Sequence, residues 1–549
     1  VASPSTPGPN RPPLRSSHPG TDRRLAGAVA AITLIGLILR LPSFADSLFG
    51  DELSAYYIVA HHTFGQVMHL LNYHSTELNP QLFFILAWIS QTVLGLSAET
   101  MKLPSLIVGT ATIPMIYCLG RQAGGARTGL VAAGLAACCP FLIFYSTEAR
   151  PYALMLFLVL GAALALLRAL RSGGVWWWLL YALCTCAAAY THFTSIFALG
   201  AIAVWGLVTQ PPARLRILGA LALAAVAYVP ELPVLHKISQ SPGTNLYRFL
   251  DPLSAHLVLR DLGRWAIGHP YLTLTHVPGT VALVASVAGL AVGMAGCGLR
   301  LAGTRGEGTW RARPPAIAVL VVVLAVASPA GVILYSILGK GVWGARNVIA
   351  SWGAFAVVLA AIVTYPRRPL RIVAGALLVL GFALAGLSML PDSVQRPDYQ
   401  AAVAYMRALA PRGAPVADLP APTPGPPTGT EAALDLAGVA RRYPVSRIGY
   451  PTLASVLAAP PYAPLADPSG EAIARQVTMR AHDGMFFIVI PTTLPGPQLM
   501  AARKAHAHST PGPLGYLGPF LGAIPARYSL VAYRTFPGLA PVSVYALRG

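Results

Sequence analysis

The sequence predicts an α-helical polytopic membrane protein that carries a small α/β domain at its C-terminal end. Three observations predict it. Of 549 residues, 55% are hydrophobic and 11% are charged, with a mean hydropathy of +0.60, whereas soluble domains are about a quarter charged. The apolar residues fall into runs close to the ~20 residues that cross a bilayer core as a helix. Beyond residue 390 the hydropathy falls, Pro and Gly rise, notably over Pro420–Pro427, and short alternating elements replace the long runs. A net charge of +20 would suit a nucleic-acid partner, but the basic residues sit in short loops between apolar runs. There they report topology, so no nucleic acid is expected. The cysteines (Cys118, Cys138, Cys139, Cys184, Cys186 and Cys297) lie inside apolar runs without CxxC spacing and read as small core residues.

Residues 1–24, rich in Pro, Ser and Arg, are predicted to be a disordered cytoplasmic N-terminus. Residues 25–390 form the transmembrane domain. Its first span, 25–44, has no small-residue cleavage site and reads as retained. Ten more follow at 101–119, 127–146, 150–170, 175–191, 193–209, 214–233, 276–298, 315–338, 343–364 and 370–390, about 11 in all. The apolar stretch 80–96 is left out because of charge. If it does not cross, Arg121 and Arg127, Arg168 and Arg171, Arg214 and Arg216, the arginines from Arg300 to Arg313, and Arg367, Arg368 and Arg371 share the cytoplasm with Arg11, Arg15, Arg23 and Arg24. If it crosses, every later loop flips and most of these arginines lie outside, against the positive-inside rule. Residues 45 to about 100 are therefore one external loop with juxtamembrane helices, the last of them partly immersed.

The same topology turns four more regions outward: the turn around Glu148, the 234–275 loop, Gly339–Trp343, and the tail 391–549. The tail is expected to hold helices near 398–410, 431–442 and 497–507. Strands are expected at Val416–Leu419, Arg447–Tyr450, Met485–Pro491, Ser529–Phe536 and Ser543–Leu547. No phosphate-cradling glycine loop or metal-ligand spacing marks it.

The outward regions hold the residues able to do chemistry. Leu48-Phe49-Gly50-Asp51-Glu52-Leu53 places two adjacent carboxylates directly after the first span, in a chain with 19 acids among 549 residues. A helix N-terminus alone would favour acids there. A general base at the bilayer boundary is the sharper reading. Glu148 and Arg150 lie in Phe144-Tyr145-Ser146-Thr147-Glu148-Ala149-Arg150-Pro151-Tyr152, where Pro151 suits a first helical turn. Ionisable groups at such a boundary face a polar cavity or each other, so a local Glu148–Arg150 pair is the alternative. Tyr73-His74-Ser75-Thr76-Glu77-Leu78-Asn79-Pro80 adds polar atoms before the immersed helix. Lys102 and Arg346 lie at external span ends, where a snorkelling anchor is the competing reading. His192, in Tyr190-Thr191-His192-Phe193, is a candidate ligand, with a satisfied interfacial histidine as the stronger competing reading. His61-His62 is a weak metal pair, because adjacent helical positions point to different faces.

External carboxylates with external cations around a membrane-embedded pocket are what transfer from a lipid phosphate needs. A carboxylate takes the proton of the acceptor hydroxyl, and cations or a metal stabilise the departing phosphate. On these residues the chain resembles the GT-C membrane glycosyltransferases, in particular the glycosyltransferase family 39 members similar to bacterial protein O-mannosyltransferases and to the lipid A aminoarabinose transferase. The resemblance runs over roughly residues 35–370. It is strongest from Lys102-Leu103-Pro104-Ser105 through Gly120-Arg121 to Tyr145–Tyr152, and Gly50-Asp51-Glu52 matches the family's first-loop acidic motif. Asn79-Pro80-Gln81-Leu82-Phe83 stands where many members have His-Pro-Pro-Leu-Tyr, with Glu77 for the usual Asp. Lys102 stands for a common Arg, and Arg346-Asn347 for an Arg-Tyr pair.

The reading that results is a plasma-membrane glycosyltransferase. It moves a sugar from a polyprenyl-phosphate donor to a cell-envelope acceptor (lipid, polysaccharide or protein) on the extracytoplasmic side. The resemblance implies that Asp51 is the catalytic base, with Glu52 beside it. Lys102, Arg150 and Arg346 are assigned to the donor phosphate, and Glu77, Asn79, Glu148, Tyr152 and His192 to the substrates. Asp51 and Glu148 are candidates for holding a divalent cation. The rival is a transporter or flippase of lipid-linked sugars, which would favour inverted repeats and broken helices at the midplane. No such repeat is visible. An inactive scaffold of the same fold is a third reading. The topology is testable by reporter fusions: one after Gly120 should read cytoplasmic, and ones after Leu96 and at the C-terminus should read external. A cytoplasmic signal after Leu96 would mean that 80–96 crosses and that the loop map is inverted.

Overall fold

The computed structural model describes residues 19–74, 77, 79–240, 253–304, 316–338, 341–419, 428–447, 469–482, 484–492, 494–504 and 517–549. Eight helices are long and apolar enough to cross a membrane: Arg23–Phe44, Ala98–Gly124, Tyr152–Ser172, Pro211–His236, Thr275–Ala302, Ala316–Leu338, Ala345–Thr364 and Arg368–Leu387. The pair Ala126–Cys138 and Pro140–Ser146, bent by 64°, makes a ninth if it is one span. Val175–Ala189 and Ser195–Thr209 have 15 residues each, about 22 Å of helix. The protein is thus a multi-pass membrane protein. The stretch 80–96 is a 13-residue helix, Leu82–Leu94.

Local chemistry explains the breaks. The expected span 127–146 is not continuous, because Pro140 lacks an N–H and its ring would clash with the preceding turn of a continuing helix. The chain opens at Cys139 (φ −72°, ψ 119°) and restarts with proline at the first helical position. Every residue of Pro140–Ser146 is buried. Ala98–Gly124 starts at a Ser97–Thr100 capping box and packs closely on Ala126–Cys138. A Cβ added to Gly120 would lie 2.9 Å from the Gly129 Cα, a small-residue contact that lets two backbones approach. Trp352 is fully buried and donates from its indole to the Trp265 carbonyl (2.9 Å). That bond ties Ala255–Ile267, a helix the sequence reading left inside the 234–275 loop, to the bundle. The first helix begins at Pro19, earlier than expected. The cysteines are free, and Cys118 is exposed on its helix rather than in the core.

The first loop folds as Glu52–Val59, Phe64–His69 with a Thr63 capping box, the π-turn Leu70–His74, and Leu82–Leu94. Ser75, Thr76 and Leu78 lie outside the described residues, as do Gly339 and Lys340.

In the tail, β1 (Val416–Asp418), β2 (Val445–Arg447), β3 (Met485–Ile490), β4 (Ser529–Phe536) and β5 (Val542–Arg548) form a sheet in the order β2-β1-β3-β5-β4. The β2-β1-β3 half is parallel, and β5 pairs antiparallel with β3 and β4. Strand alternation sends Phe486, Ile488, Tyr545 and Leu547 to one face, and Phe487, Val489, Val544 and Ala546 to the other. The first face packs on Ser469–Ala481 and Leu517–Gly522, two helices the sequence reading did not assign. The second packs on Tyr399–Leu409 and Gly429–Leu436. The strand expected at Arg447–Tyr450 lies at Val445–Arg447, and residues 448–450 are outside the described residues. The helix expected over 431–442 stops at Leu436, with a short 3-10 turn Ala440–Arg442 after it.

Candidate active site

One glycine starts the site. Gly50 adopts φ +58°, a left-handed conformation that costs glycine little, and the chain turns there into the Glu52–Val59 helix. Asp51 stands at the N-cap, yet its side chain makes no capping bond. Its carboxylate therefore remains available to the rest of the molecule, unlike an ordinary helix-start acid. Oδ2 accepts from Arg346 Nη1 at 2.5 Å. The Asp51 side chain is 42% exposed and that of Arg346 is 37%. Burial pushes the Asp51 carboxyl up, but Arg346 and then Arg150 beside it outweigh this and hold it below the usual range.

Glu52, the adjacent acid, has a different environment. It is fully buried. Oε1 accepts from the Ala149 N–H (2.8 Å) and Oε2 from the Phe49 N–H (3.1 Å), and Oε2 lies 2.9 Å from Arg396 Nε in a buried ion pair. It joins the first loop to the Glu148 turn and to the start of the tail. Arg396 was missed in the sequence because it follows the last span and reads as a tail residue. It is buried, donates to the Ser43 carbonyl (3.2 Å) and the Phe144 carbonyl (3.4 Å), and lies 4.4 Å over the Phe144 ring.

Arg150 pairs with neither reading of its local sequence. It forms a two-pronged pair with Glu77, 73 residues away, with both side chains 5% exposed. Asn79 donates to the same carboxylate from its backbone (3.1 Å) and its amide (2.6 Å). Arg150 Nη1 also reaches the Asp51 carbonyl (3.4 Å). Burial lowers the Arg150 guanidinium's pKa, but the Glu77 charge overrides this and raises it. Lys102 is fully buried and donates to the carbonyls of Asp46 (2.6 Å) and Ser47 (3.3 Å). It holds the first loop rather than snorkelling. His61 bonds Asp435 of the tail (2.6 Å) and His62 its own helix at the Ile58 carbonyl (3.1 Å), so the two histidines diverge.

Glu148 is 2% exposed, and its Oε2 has no hydrogen-bond partner. Burial, reinforced by Glu52, pushes its carboxyl up to about 8. Tyr152 is buried beneath Arg346, whose guanidinium lies 5.8 Å from the ring centre, and faces Tyr145 (5.0 Å) and His192 (5.6 Å). His192 Nδ1 lies 2.9 Å from the Thr194 hydroxyl, which also meets the Asn347 carbonyl at 2.9 Å. Burial and then Arg346 press the imidazole down to about 3, so it is neutral.

Asp51, Arg346, Arg150, Glu77, Asn79, Glu148, Tyr152 and His192 therefore meet at one end of the bundle, whereas Glu52 and Lys102 lie beneath, in the packing that supports it. Among the described residues, no group of three or more His, Cys, Asp or Glu converges as a metal cage. Tyr271, from the loop after Ala255–Ile267, joins the same cluster. The sequence offered no periodic signal for it.

A family model described as dolichyl-phosphate-mannose-protein mannosyltransferase matches residues 78–235, well under half of the chain. No curated protein matches. Among solved structures, ArnT from Cupriavidus metallidurans in the apo state is similar at 13% identity and a TM-score of 0.52, over 96% of this chain and 98% of that one. The same ArnT bound to undecaprenyl phosphate is similar at 12% identity and a TM-score of 0.50, with the same coverage. The archaeal oligosaccharyltransferase AglB from Archaeoglobus fulgidus, in complex with an inhibitory peptide and a dolichol-phosphate, gives 14% identity, a TM-score of 0.48, and coverage of 86% and 70%. The chain has the fold of the GT-C membrane glycosyltransferases.

The buried Glu52–Arg396 pair sets an expectation for stability. Arg396→Ala strands the Glu52 carboxylate and should cost about 3–5 kcal/mol, read as a lower melting temperature in detergent. A wild-type melting temperature would show that the pair does not seat the tail.

Proposed function

We propose that this protein is a plasma-membrane glycosyltransferase that transfers a sugar from a polyprenyl phosphate to a cell-envelope acceptor on the extracytoplasmic side. In this reading eleven helices cross, Leu82–Leu94 lies at the surface, and residues 391–549 are an extracytoplasmic domain. The observation that carries the proposal is the Asp51–Arg346 pair: a half-exposed carboxylate and a half-exposed guanidinium 2.5 Å apart, at the end of an apolar bundle. The GT-C fold and the partial match to a mannosyltransferase family model support it.

The reaction needs a cation for the departing phosphate and a base for the acceptor proton. Arg346 can turn from Asp51 to the donor phosphate with a small movement, because both side chains are partly open. Asp51 then has an ionised carboxylate to receive the acceptor's proton. As the acceptor oxygen bonds to the anomeric carbon, the bond from that carbon to the phosphate oxygen breaks. The electron pair leaves with the phosphate toward Arg346, and the hydroxyl proton passes to Asp51. Arg150, neutralised by Glu77, and Lys102, spent on backbone carbonyls, position the segments around the pair rather than meeting the phosphate as mobile cations. Glu148, buried without a partner at Oε2, and Tyr152 and His192 below it are assigned to the substrates.

Asp51 and Glu148 are the residues that would hold a divalent cation, since carboxylate oxygens suit hard cations, and Glu148, whose carboxyl is pushed up to about 8, would have to give up its proton on binding. When bound, the cation would neutralise charge on the departing phosphate. A chelator should then lower donor binding and turnover together, and added magnesium or manganese should restore both. Unchanged turnover after exhaustive chelation removes the cation from the proposal.

Asp51→Asn keeps the size but cannot accept the proton. It should cut transfer by about 100-fold or more while leaving donor binding near normal. Arg346→Ala should weaken donor binding by about 1.5–3 kcal/mol with the protein still folded. Near-normal transfer by Asp51→Asn in a reconstituted assay would sink the enzyme reading. Sugar-lipid translocation without a transfer product in the wild type would point to the flippase.

A further inference from the structure

The loop between Ala255–Ile267 and the helix that follows is firmly held. Gly268 N–H donates to the Arg264 carbonyl (2.8 Å), and Arg264 Nε to the Leu272 carbonyl (3.0 Å). Tyr271 N–H donates to His269 Nδ1 (3.2 Å). His269 is itself fully buried, edge-on to Phe144 with ring centres 5.0 Å apart. A side chain on this loop is therefore presented in a defined place.

That side chain is Tyr271. Its ring meets Phe144 at 5.5 Å and Phe49 at 6.2 Å, at interplanar angles of 73° and 81°. It thus bridges the Asp51 segment and the Glu148 segment. Neither phenylalanine stacks flat on it. The residue is 48% exposed, whereas Phe144 is 2%, Tyr145 4% and Tyr152 2%. Its phenol lies close enough to Glu148, Arg346 and Asp51 to feel their charges, and at neutral pH a phenol is a hydrogen-bond donor. The phosphate of a lipid donor has Arg346 to meet it. A sugar has an apolar C–H face and polar hydroxyls, and Phe144, Tyr145 and Tyr152 are buried where Tyr271 is open. A fixed, half-exposed tyrosine offers both, a ring and a donor.

We infer that Tyr271 is a substrate-contacting residue whose ring packs on the C–H face of the sugar carried by the donor, and whose hydroxyl donates to a sugar oxygen. The inference rests on the donor reading above and goes beyond it by separating sugar from phosphate recognition.

The test uses the full-length protein in nanodiscs and compares affinity for undecaprenyl phosphate with affinity for synthetic undecaprenyl-phosphate mannose and undecaprenyl-phosphate arabinose. The wild type should bind at least one sugar-bearing lipid more tightly than the bare lipid. Tyr271→Ala should remove that increment, a loss of roughly three- to tenfold, and leave bare-lipid affinity within about twofold. Tyr271→Phe should keep most of the increment. Tyr271→Leu keeps bulk against Phe144 and Phe49 without an aromatic face. It should behave like the alanine variant, and it serves if the alanine variant does not fold. Equal losses for bare and sugar-bearing lipid, or no loss for either, overturn the inference. So does a wild type that binds all three lipids equally, which leaves the lipid-phosphate reading standing. A wild type that binds none of the three overturns that reading, and the inference with it.

Discussion

The buried Glu52–Arg396 ion pair is the contact on which the rest of the site depends. Two charges taken out of water cost several kcal/mol each before their attraction returns any of it, so the arrangement holds where every remaining donor and acceptor is engaged. Here the carboxylate side meets that condition, whereas Arg396 Nε faces Glu52 as an ion pair without hydrogen-bond geometry. Glu52 also accepts from two backbone N–H groups, and Arg396 donates to carbonyls at the end of the first helix and of the bent pair. The first span, the Gly50 turn, the Glu148 turn and the start of the tail are thereby fixed relative to one another. Lys102 adds a second buried tie, from the second long helix to the Asp46 and Ser47 carbonyls.

On this base the two neighbouring acids have opposite environments. Glu52 points inward and is saturated, whereas Asp51 points outward and has one partner, Arg346, on one oxygen. One peptide step across the start of a helix turns the side chain by about 100°, enough to separate a fully buried carboxylate from a partly exposed one. The arginines divide likewise. Arg150 is locked by both prongs to Glu77 beneath the surface, and Arg346 is held at its single exposed partner. A charged cluster built this way has a fixed buried part and leaves its exposed pair free to rearrange.

Aromatic residues form the other half of the design. Phe49, Tyr271, Phe144, Tyr145, Tyr152 and His192 follow one another by ring contacts from the first loop to the Thr194 turn. Such a wall excludes water from one side of the charged cluster, which strengthens electrostatic effects on the other.

What the sequence determined by itself follows from local rules. Run length and composition located every long helix. Strand alternation located Val416–Asp418, Met485–Ile490, Ser529–Phe536 and Val542–Arg548, and the scarcity of acids singled out Asp51, Glu52, Glu77 and Glu148. These are signals carried within a few residues, so a single chain displays them. Tertiary structure decided the pairing. Arg150 chose Glu77 over its neighbour Glu148, Lys102 turned inward to backbone carbonyls, and Arg396 and Tyr271 entered the cluster from segments with no chemical signature. Such choices depend on which buried charge finds a partner once the helices have packed. Charge neutralisation in a low-dielectric interior acts across tens to hundreds of residues of sequence, and no local pattern records it.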